Sequence, residues 1–275
     1  MTPRPLPFPL PILAGFAIAG MLLAGLFVLQ PPVLAELWPF EGTTPMSHVL
    51  LAAFLLAGAT SVGLAVALRR VGALAGVGLD VATSFGPIAI YAGALGLLAG
   101  DVRMQLLGVV GAGAFVGGWS LHRRSRAIPP VDSRPMPGPV RSAFVVFVGA
   151  LLLVGGLLAA RVPNVAPWSM PAELSTFFGF LFLGSASYFW YGLRHPAWDN
   201  AIGQLAAFLA YDIVMIVPLA QRLPTVEPAQ ALSLWLYLAV VVGSAVLAAW
   251  YLLLDRRWRL WGREHEALPE ATTAA

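Results

Sequence analysis

VVGAGAFVGGWSLHRR, residues 109–124, recurs as VVGSAVLAAWYLLLDRR, residues 241–257. Each copy is a continuous apolar stretch that carries one tryptophan and leads into two arginines. An apolar run without polar alternation favours a buried helix over a strand. Recurrence of the same order of glycine, tryptophan and arginines in the two halves of the chain indicates an internal repeat.

The composition indicates an integral membrane protein. The 275-residue chain is 59% hydrophobic and 11% charged, whereas soluble domains are about 45–50% apolar and about 25% charged. Apolar runs of 18 residues or more match the thickness of a bilayer core, and only helices or closed barrels satisfy the backbone there. We therefore predict an all-α integral membrane protein with eight transmembrane helices. The predicted spans are 12–29, 46–68, 71–98, 104–121, 142–160, 173–193, 201–219 and 231–254.

Further matches between the halves support a tandem arrangement. A loop with Trp and Pro precedes the second span of each half, as LWPFEGTTP at 37–45 and APWSMP at 166–171. Ser61 matches Ser187 at an offset of 126, and Asp80 matches Asp212 at an offset of 132. The difference corresponds to a six-residue insertion around PAWDNA at 196–201. Chance similarity among apolar helices is the alternative, although the matched markers include polar and aromatic residues.

These matches define the predicted organisation. Four helices per half place both halves in one orientation, so their pseudo-twofold axis would run along the membrane normal. The two four-helix repeats are thus in parallel orientation. We assign residues 1–127 to the first repeat, 128–141 to a proline-rich cytoplasmic linker, 142–257 to the second repeat and 258–275 to a cytoplasmic tail.

The loop LWPF…TTP, followed by a four-helix unit that ends in paired arginines, resembles a group of uncharacterised bacterial multi-pass membrane proteins. Their signature at this place is W-P-W…L-T-P-L. The likeness covers mainly residues 26–124, and this chain departs from it with Phe40 in place of the second tryptophan. The resemblance implies a bacterial cytoplasmic membrane protein. It does not imply any particular activity, because the group is uncharacterised.

Asp80 and Asp212 are the acidic residues that fall well inside predicted spans. Each lies about ten residues from a helix end, near the middle of the bilayer at about 1.5 Å per residue. An ionisable residue there costs roughly 2.5–3.5 kcal/mol, and no Arg, Lys or His is predicted at the same depth. We therefore expect both carboxyls to line one central polar site, as a proton- or cation-binding pair. The alternative is a structural pair of neutral carboxyls bonded to residues such as Thr83, Ser84 and Tyr211.

Other chemistry finds little support. The chain has no cysteine, and metalloprotease, nucleophile-elbow and P-loop motifs are missing. Its four histidines, His48, His122, His195 and His265, favour solvated or interfacial roles over haem ligation. We expect no catalytic residues, metal or cofactor. The aromatic helix at 173–193 is either packing surface or the wall of a site for a flat hydrophobic ligand.

Two function classes remain open from the sequence. One is a proton- or cation-linked transporter with its site between the two repeats, and the other is a non-catalytic membrane subunit or scaffold with structural aspartates. An enzyme is a third, less supported class. The expected partners are the lipid bilayer and either a second copy of the chain or another membrane protein. Nucleic-acid binding is not expected, because no basic stripe lies on a soluble face.

The arginines predict the orientation. All sixteen basic residues are arginine, and a cytoplasmic N-terminus would place thirteen of them inside, leaving Arg103, Arg161 and Arg222 outside. Loops rich in Lys or Arg stay in the cytoplasm, so both termini should be cytoplasmic. Reporter fusions after residues 125 and 262 should both report the cytoplasm, and a fusion in the loop after Arg161 should report the periplasm. A periplasmic signal at residue 125 or 262 would overturn this topology.

Overall fold

The computed structural model describes residues 9–260, and within them the chain is helical, with no β-strand. Arg4, Trp261 and Arg263, together with the predicted tail beyond Leu260, lie outside this range. A short 3₁₀ turn, Val71–Ala73, precedes α4, and a π-helical turn, Trp250–Leu254, follows α9. The α-helices are α1 Leu10–Leu29, α2 Pro32–Leu37, α3 Pro45–Ala67, α4 Leu74–Ala99, α5 Val102–Ser125, α6 Gly138–Ala159, α7 Ala172–Arg194, α8 Trp198–Gln221 and α9 Pro228–Ala249.

Seven helices of the described chain are long and apolar enough to cross a membrane. This confirms the predicted all-helical, multi-pass character. The eighth long helix, α7, has 23 residues but does not belong to that set. Its ends carry Glu173 and Arg194, hydroxyl side chains interrupt its apolar sequence, and most of its residues are buried against other helices. A helix enclosed by protein needs fewer lipid-compatible side chains, so eight spans remain a prediction.

The residues at the helix ends explain where several of the helices begin and end. Proline occupies the first turn of α1, α3, α6 and α9, where its missing N–H leaves no hydrogen bond unmade. Asp101 caps α5, because its side chain accepts from the backbone N–H groups of Arg103 at 2.8 Å and Met104 at 3.4 Å. The tight turn between α4 and α5 requires a left-handed residue, and Gly100 supplies it with φ +68°.

Helix pairing follows the same pattern in the two halves. In the first half α1 packs on α3 and α4 on α5, and in the second half α6 packs on α7 and α8 on α9. Between the halves, α3 packs on α8 and α4 packs on α7. Contact between α3 and α4, and between α7 and α8, is much slighter. The centre of the bundle therefore consists of α3, α4, α7 and α8, two from each half.

The proline-rich linker is held against the start of α8. Backbone hydrogen bonds join Met136 to Pro196 and Trp198 to Arg134, each at 2.8 Å. Asp132 accepts hydrogen bonds from the Arg134 guanidinium, and that guanidinium also donates to the carbonyl of Arg257. The six-residue insertion predicted at 196–201 is thus the segment that anchors the linker. We call this side of the bundle the arginine-rich end and the opposite side the arginine-poor end.

A buried ion pair joins the two halves at the arginine-rich end. Arg70 precedes α4, and its guanidinium lies 2.6 Å from Oδ1 of Asp199 in the first turn of α8. The other oxygen of Asp199 accepts a hydrogen bond from the backbone N–H of Val131 in the linker. The Asp199 side chain is 2% exposed. One carboxylate therefore ties together the α3–α4 turn, the linker and α8.

We predict that Asp199→Ala destabilises the protein by about 3 kcal/mol, because removing one partner of a buried ion pair strands the other charge. Unfolding in detergent micelles, followed by helical circular dichroism, would measure the loss. Glu41→Ala is the matched control, since Glu41 is 92% exposed and lies 4.0 Å from Arg103; exposed pairs contribute at most about 1 kcal/mol. Equal effects of the two substitutions would contradict a structural role for the Arg70–Asp199 pair.

Candidate functional site

Asp80 in α4 and Asp212 in α8 border the same cavity. Its volume is about 110 Å³, and a water molecule needs roughly 10–15 Å³ measured in this way, so the space can hold several water molecules. Residues of α3, α4, α6, α7, α8 and α9 surround it. The two aspartates predicted from the sequence therefore come from different halves and meet at one internal space.

Asp212 is less exposed to solvent than Asp80. Its residue is 1% exposed, and its Oδ2 atom has no hydrogen-bond partner within the described chain. The hydroxyl of Ser244 on α9 lies beside the carboxyl and donates to backbone carbonyls of its own helix. A buried polar atom without a partner is costly, so Oδ2 marks a place where a proton, water or cation would be stabilised.

Asp80 has a local partner. Its Oδ1 atom accepts a hydrogen bond from Ser84, one turn further along α4, at 3.2 Å. Thr83 does not contact this carboxyl in the same way: its hydroxyl lies 2.7 Å from that of Ser187 on α7. Of the three neighbours predicted for the structural alternative, Ser84 bonds to Asp80, while the Tyr211 hydroxyl pairs with that of Tyr237.

The cavity wall is mostly apolar and rich in aromatic rings. The aromatic helix α7 contributes three rings and other helices five more. The aromatic residues that line the cavity are Phe54, Phe147, Phe182, Tyr188, Phe189, Phe208, Tyr211 and Tyr237. Val240 on α9 also lines the cavity and is 43% exposed. Since α6 and α9 are not a packed pair, the cavity approaches the bundle surface between these two helices.

Polar and charged contacts close the cavity toward the arginine-rich end. The Tyr188 hydroxyl donates to Ser61 at 3.3 Å, and Ser61 donates to the carbonyl of Gly203 at 3.0 Å. Beyond them lies a space of about 10 Å³, barely one water molecule, which Arg70 and Asp199 also border. Ser61, Val77 and Tyr188 border both spaces, so they separate the central cavity from the ion pair that joins the halves.

An aromatic layer separates the cavity from the arginine-poor end. Tyr237 lines the cavity and stacks on Trp168, with ring centroids 6.3 Å apart. Trp168 in turn borders an open vestibule of about 660 Å³ that contains Arg161, Arg222 and Glu227. The indole N–H of Trp168 donates to Ser47 on α3 at 3.0 Å, so the second Trp–Pro loop is fastened to the first half.

The histidines lie away from the central cavity. His48 packs among Phe27 and Trp38, while His122 and His195 border a separate groove at the arginine-rich end. His265 lies outside the described residues. Across residues 9–260, no group of three or more histidine, aspartate or glutamate side chains is arranged to hold a metal ion.

Sequence reasoning missed several residues of this arrangement. Tyr188 and Ser244 were not singled out as polar neighbours of the aspartates, and Asp199 was read only as part of an insertion. One feature of the sequence points to Asp199. It is an acidic residue in the predicted insertion at 196–201, on the side of the protein where most arginines are predicted. Arg70 is one of the thirteen arginines predicted on the cytoplasmic side, and sequence spacing cannot pair it with a residue 129 positions away.

No family model, curated protein or solved structure matches this chain. The resemblance to the W-P-W…L-T-P-L group accordingly rests on the motif alone.

We predict that Gly184→Ala destabilises the protein, because α4 and α7 approach closely at this residue. A β-carbon there would lie 1.7 Å from Ser84 Oγ and 2.9 Å from the carbonyl oxygen of Asp80. Ser84 can rotate, but the backbone must shift, at a cost of about 1–3 kcal/mol. Gly58→Ala on α3 is the control, because a β-carbon there meets no atom within 4 Å. Thermal unfolding in detergent should show a lower midpoint for Gly184→Ala alone; equal midpoints would argue against the close contact.

Proposed function

We propose that this protein is a transporter of the bacterial cytoplasmic membrane, with a proton- or cation-linked site between two tandem four-helix repeats. The observation that carries the proposal is the shared cavity, in which a buried carboxyl oxygen of Asp212 has no hydrogen-bond partner in the part of the chain that the structure describes. Asp80 adds a second carboxyl from the other half. A site built at the interface of two halves is the usual position of substrate and coupling-ion sites in repeat transporters.

The matched helix pairing supports the repeat. Exchange of α1, α3, α4 and α5 for α6, α7, α8 and α9 converts each packed pair into another packed pair. The contact of α3 with α8 becomes that of α7 with α4, as a twofold relation requires. Asp80 and Asp212 are exchanged in the same operation, which places equivalent carboxyls at one interface.

The mostly apolar, aromatic lining of the cavity favours an organic cation with hydrocarbon groups over a bare metal ion as the transported species. Calcium takes six to eight oxygen ligands, and magnesium keeps an octahedral shell, whereas the cavity offers two carboxyls and a few hydroxyls among many aromatic rings. Aromatic faces attract organic cations. A protonated amine that carries hydrocarbon groups would match both the carboxyls and the wall.

A structural role for the aspartates is the competing proposal, in which the protein is a non-catalytic membrane subunit or scaffold. The hydrogen bond from Ser84 to Asp80 and the mostly apolar wall favour it. In that case both carboxyls would be permanently protonated and closed to solutes. The two proposals differ in whether the carboxyls can be reached and exchanged.

We expect Asp212→Asn and Asp80→Asn to lower cation-coupled flux at least about tenfold, the equivalent of 1.4 kcal/mol, while the protein still folds. Proteoliposomes that contain a pH-sensitive dye would be exposed to gradients of Na⁺, K⁺ or a hydrophobic amine, and internal pH would be recorded. Glu173→Gln, an exposed carboxyl at the start of α7, is the control and should leave flux unchanged. Full flux in both aspartate variants would favour the structural proposal.

A second measurement needs no knowledge of the cargo. A membrane-permeant carbodiimide should modify Asp212 and Asp80 if they are protonated and reachable, and peptide mass mapping would locate the adducts. Asp199 serves as the internal control, because an ion-paired carboxylate reacts poorly. Protection of Asp212 by a hydrophobic amine would support cargo binding at the cavity, whereas a lack of labelling at both residues would indicate a sealed structural pair.

A further inference from the structure

A groove of about 500 Å³ lies at the arginine-rich end, where the last turns of α5 and α7 meet over α4. We call it the basic groove, and it is separate from the central cavity. The residues that border it are Leu79, His122, Arg126, Trp190, Tyr191, Arg194 and His195. It thus brings together two guanidinium groups, two imidazoles and an indole, with no acidic side chain among its lining residues.

The two arginines of the groove are not used in ion pairs. Within residues 9–260, no carboxylate pairs with Arg126 or Arg194, while Arg70, Arg103 and Arg134 all have acidic partners. Arg194 instead lies over the ring of Trp190, 5.5 Å from its centroid. The carboxyl ends of α5 and α7 supply about half a negative charge each, so the two arginines exceed them by about one positive charge. The groove is therefore left with an excess of positive charge.

The imidazoles are held in place by their neighbours. Nδ1 of His122 donates to the carbonyl of Ala75 on α4 at 2.8 Å, and Nδ1 of His195 donates to that of Tyr191 at 3.2 Å. The ring of Tyr191 packs against both imidazoles, with centroids 5.7 Å from His122 and 4.3 Å from His195. Because Nδ1 of each imidazole already donates to a backbone carbonyl, Nε2 is the ring nitrogen that can bind a ligand.

We propose that the basic groove binds a phosphate group, and that its natural source is the headgroup of an acidic phospholipid. Arginine forks match phosphate oxygens in pairs, and basic pockets between helix ends at the membrane surface recognise acidic headgroups. Trp190 is 50% exposed beside the groove, and indoles concentrate at headgroup depth. The apolar spans continue directly below, where acyl chains would lie. This inference does not depend on the transport proposal.

The test compares lipids on the whole purified protein in a neutral detergent. Phosphatidylglycerol and phosphatidylcholine would be titrated and bound lipid counted by native mass spectrometry. We expect phosphatidylglycerol to bind at least about tenfold more tightly, the scale of one charged hydrogen bond. Arg126→Gln together with Arg194→Gln should abolish most of this preference. The control, Arg123→Gln together with Arg141→Gln, removes the same charge from exposed positions outside the groove and should retain it.

Two further measurements distinguish lipid from free phosphate as the ligand and control for misfolding of the variants. Displacement of bound phosphatidylglycerol by millimolar inorganic phosphate would assign the groove to free phosphate, whereas its retention would assign it to the lipid. Arg126→Lys with Arg194→Lys keeps the charge but loses the paired geometry, so a folded lysine variant with weakened binding supports the site even if the glutamine variant unfolds. Equal binding of both lipids to the wild type, or equal loss in groove and control variants, would overturn the proposal.

Discussion

Burial of carboxyl groups inside an apolar bundle is the constraint on which the arrangement of this protein depends. The buried carboxylate of Asp199 is stabilised by the guanidinium of Arg70 and the backbone N–H of Val131. These contacts hold the two halves together. The Asp80 carboxyl accepts a hydrogen bond from Ser84. Asp212 borders the cavity, and its Oδ2 atom has no hydrogen-bond partner among residues 9–260. A buried carboxyl group therefore joins the two halves at the arginine-rich end. At the centre of the bundle, a buried carboxyl oxygen has no hydrogen-bond partner among the described residues.

The aromatic residues link these two outcomes. Tyr188 and Tyr237 present rings to the cavity while their hydroxyls bond to Ser61 and Tyr211, which satisfies polar groups without adding charge. A cavity with such a wall excludes a large hydration shell but accepts apolar surface. Under the transport proposal, the Asp212 carboxyl is therefore stabilised by a proton, a few water molecules or an organic cation rather than by a fully hydrated ion.

Composition and apolar runs were enough to predict the helical membrane architecture, because lipid leaves few other ways to satisfy a backbone. The predicted depth of Asp80 and Asp212 rests on helix geometry alone, and the structure adds that both residues border one cavity. Contacts between halves could not be derived: Arg70 with Asp199 and Trp168 with Ser47 join residues more than a hundred positions apart. The enclosure of α7 was equally hidden, since its aromatic sequence suits lipid and protein alike.

The cavity is not placed symmetrically, and this has a consequence for any transport cycle. It is lined by α6 and α9 but not by their counterparts α1 and α5, and Gly184 is pressed against α4 where Gly58 is open. If the halves are parallel repeats, exchanging their conformations would move the cavity opening from the side of the bundle at α6 and α9 to the side at α1 and α5. Such an exchange would open the cavity toward neither end of the bundle. Under the transport proposal, access from the arginine-rich end requires a different movement, one that separates Arg70 from Asp199 and lifts the linker from α8.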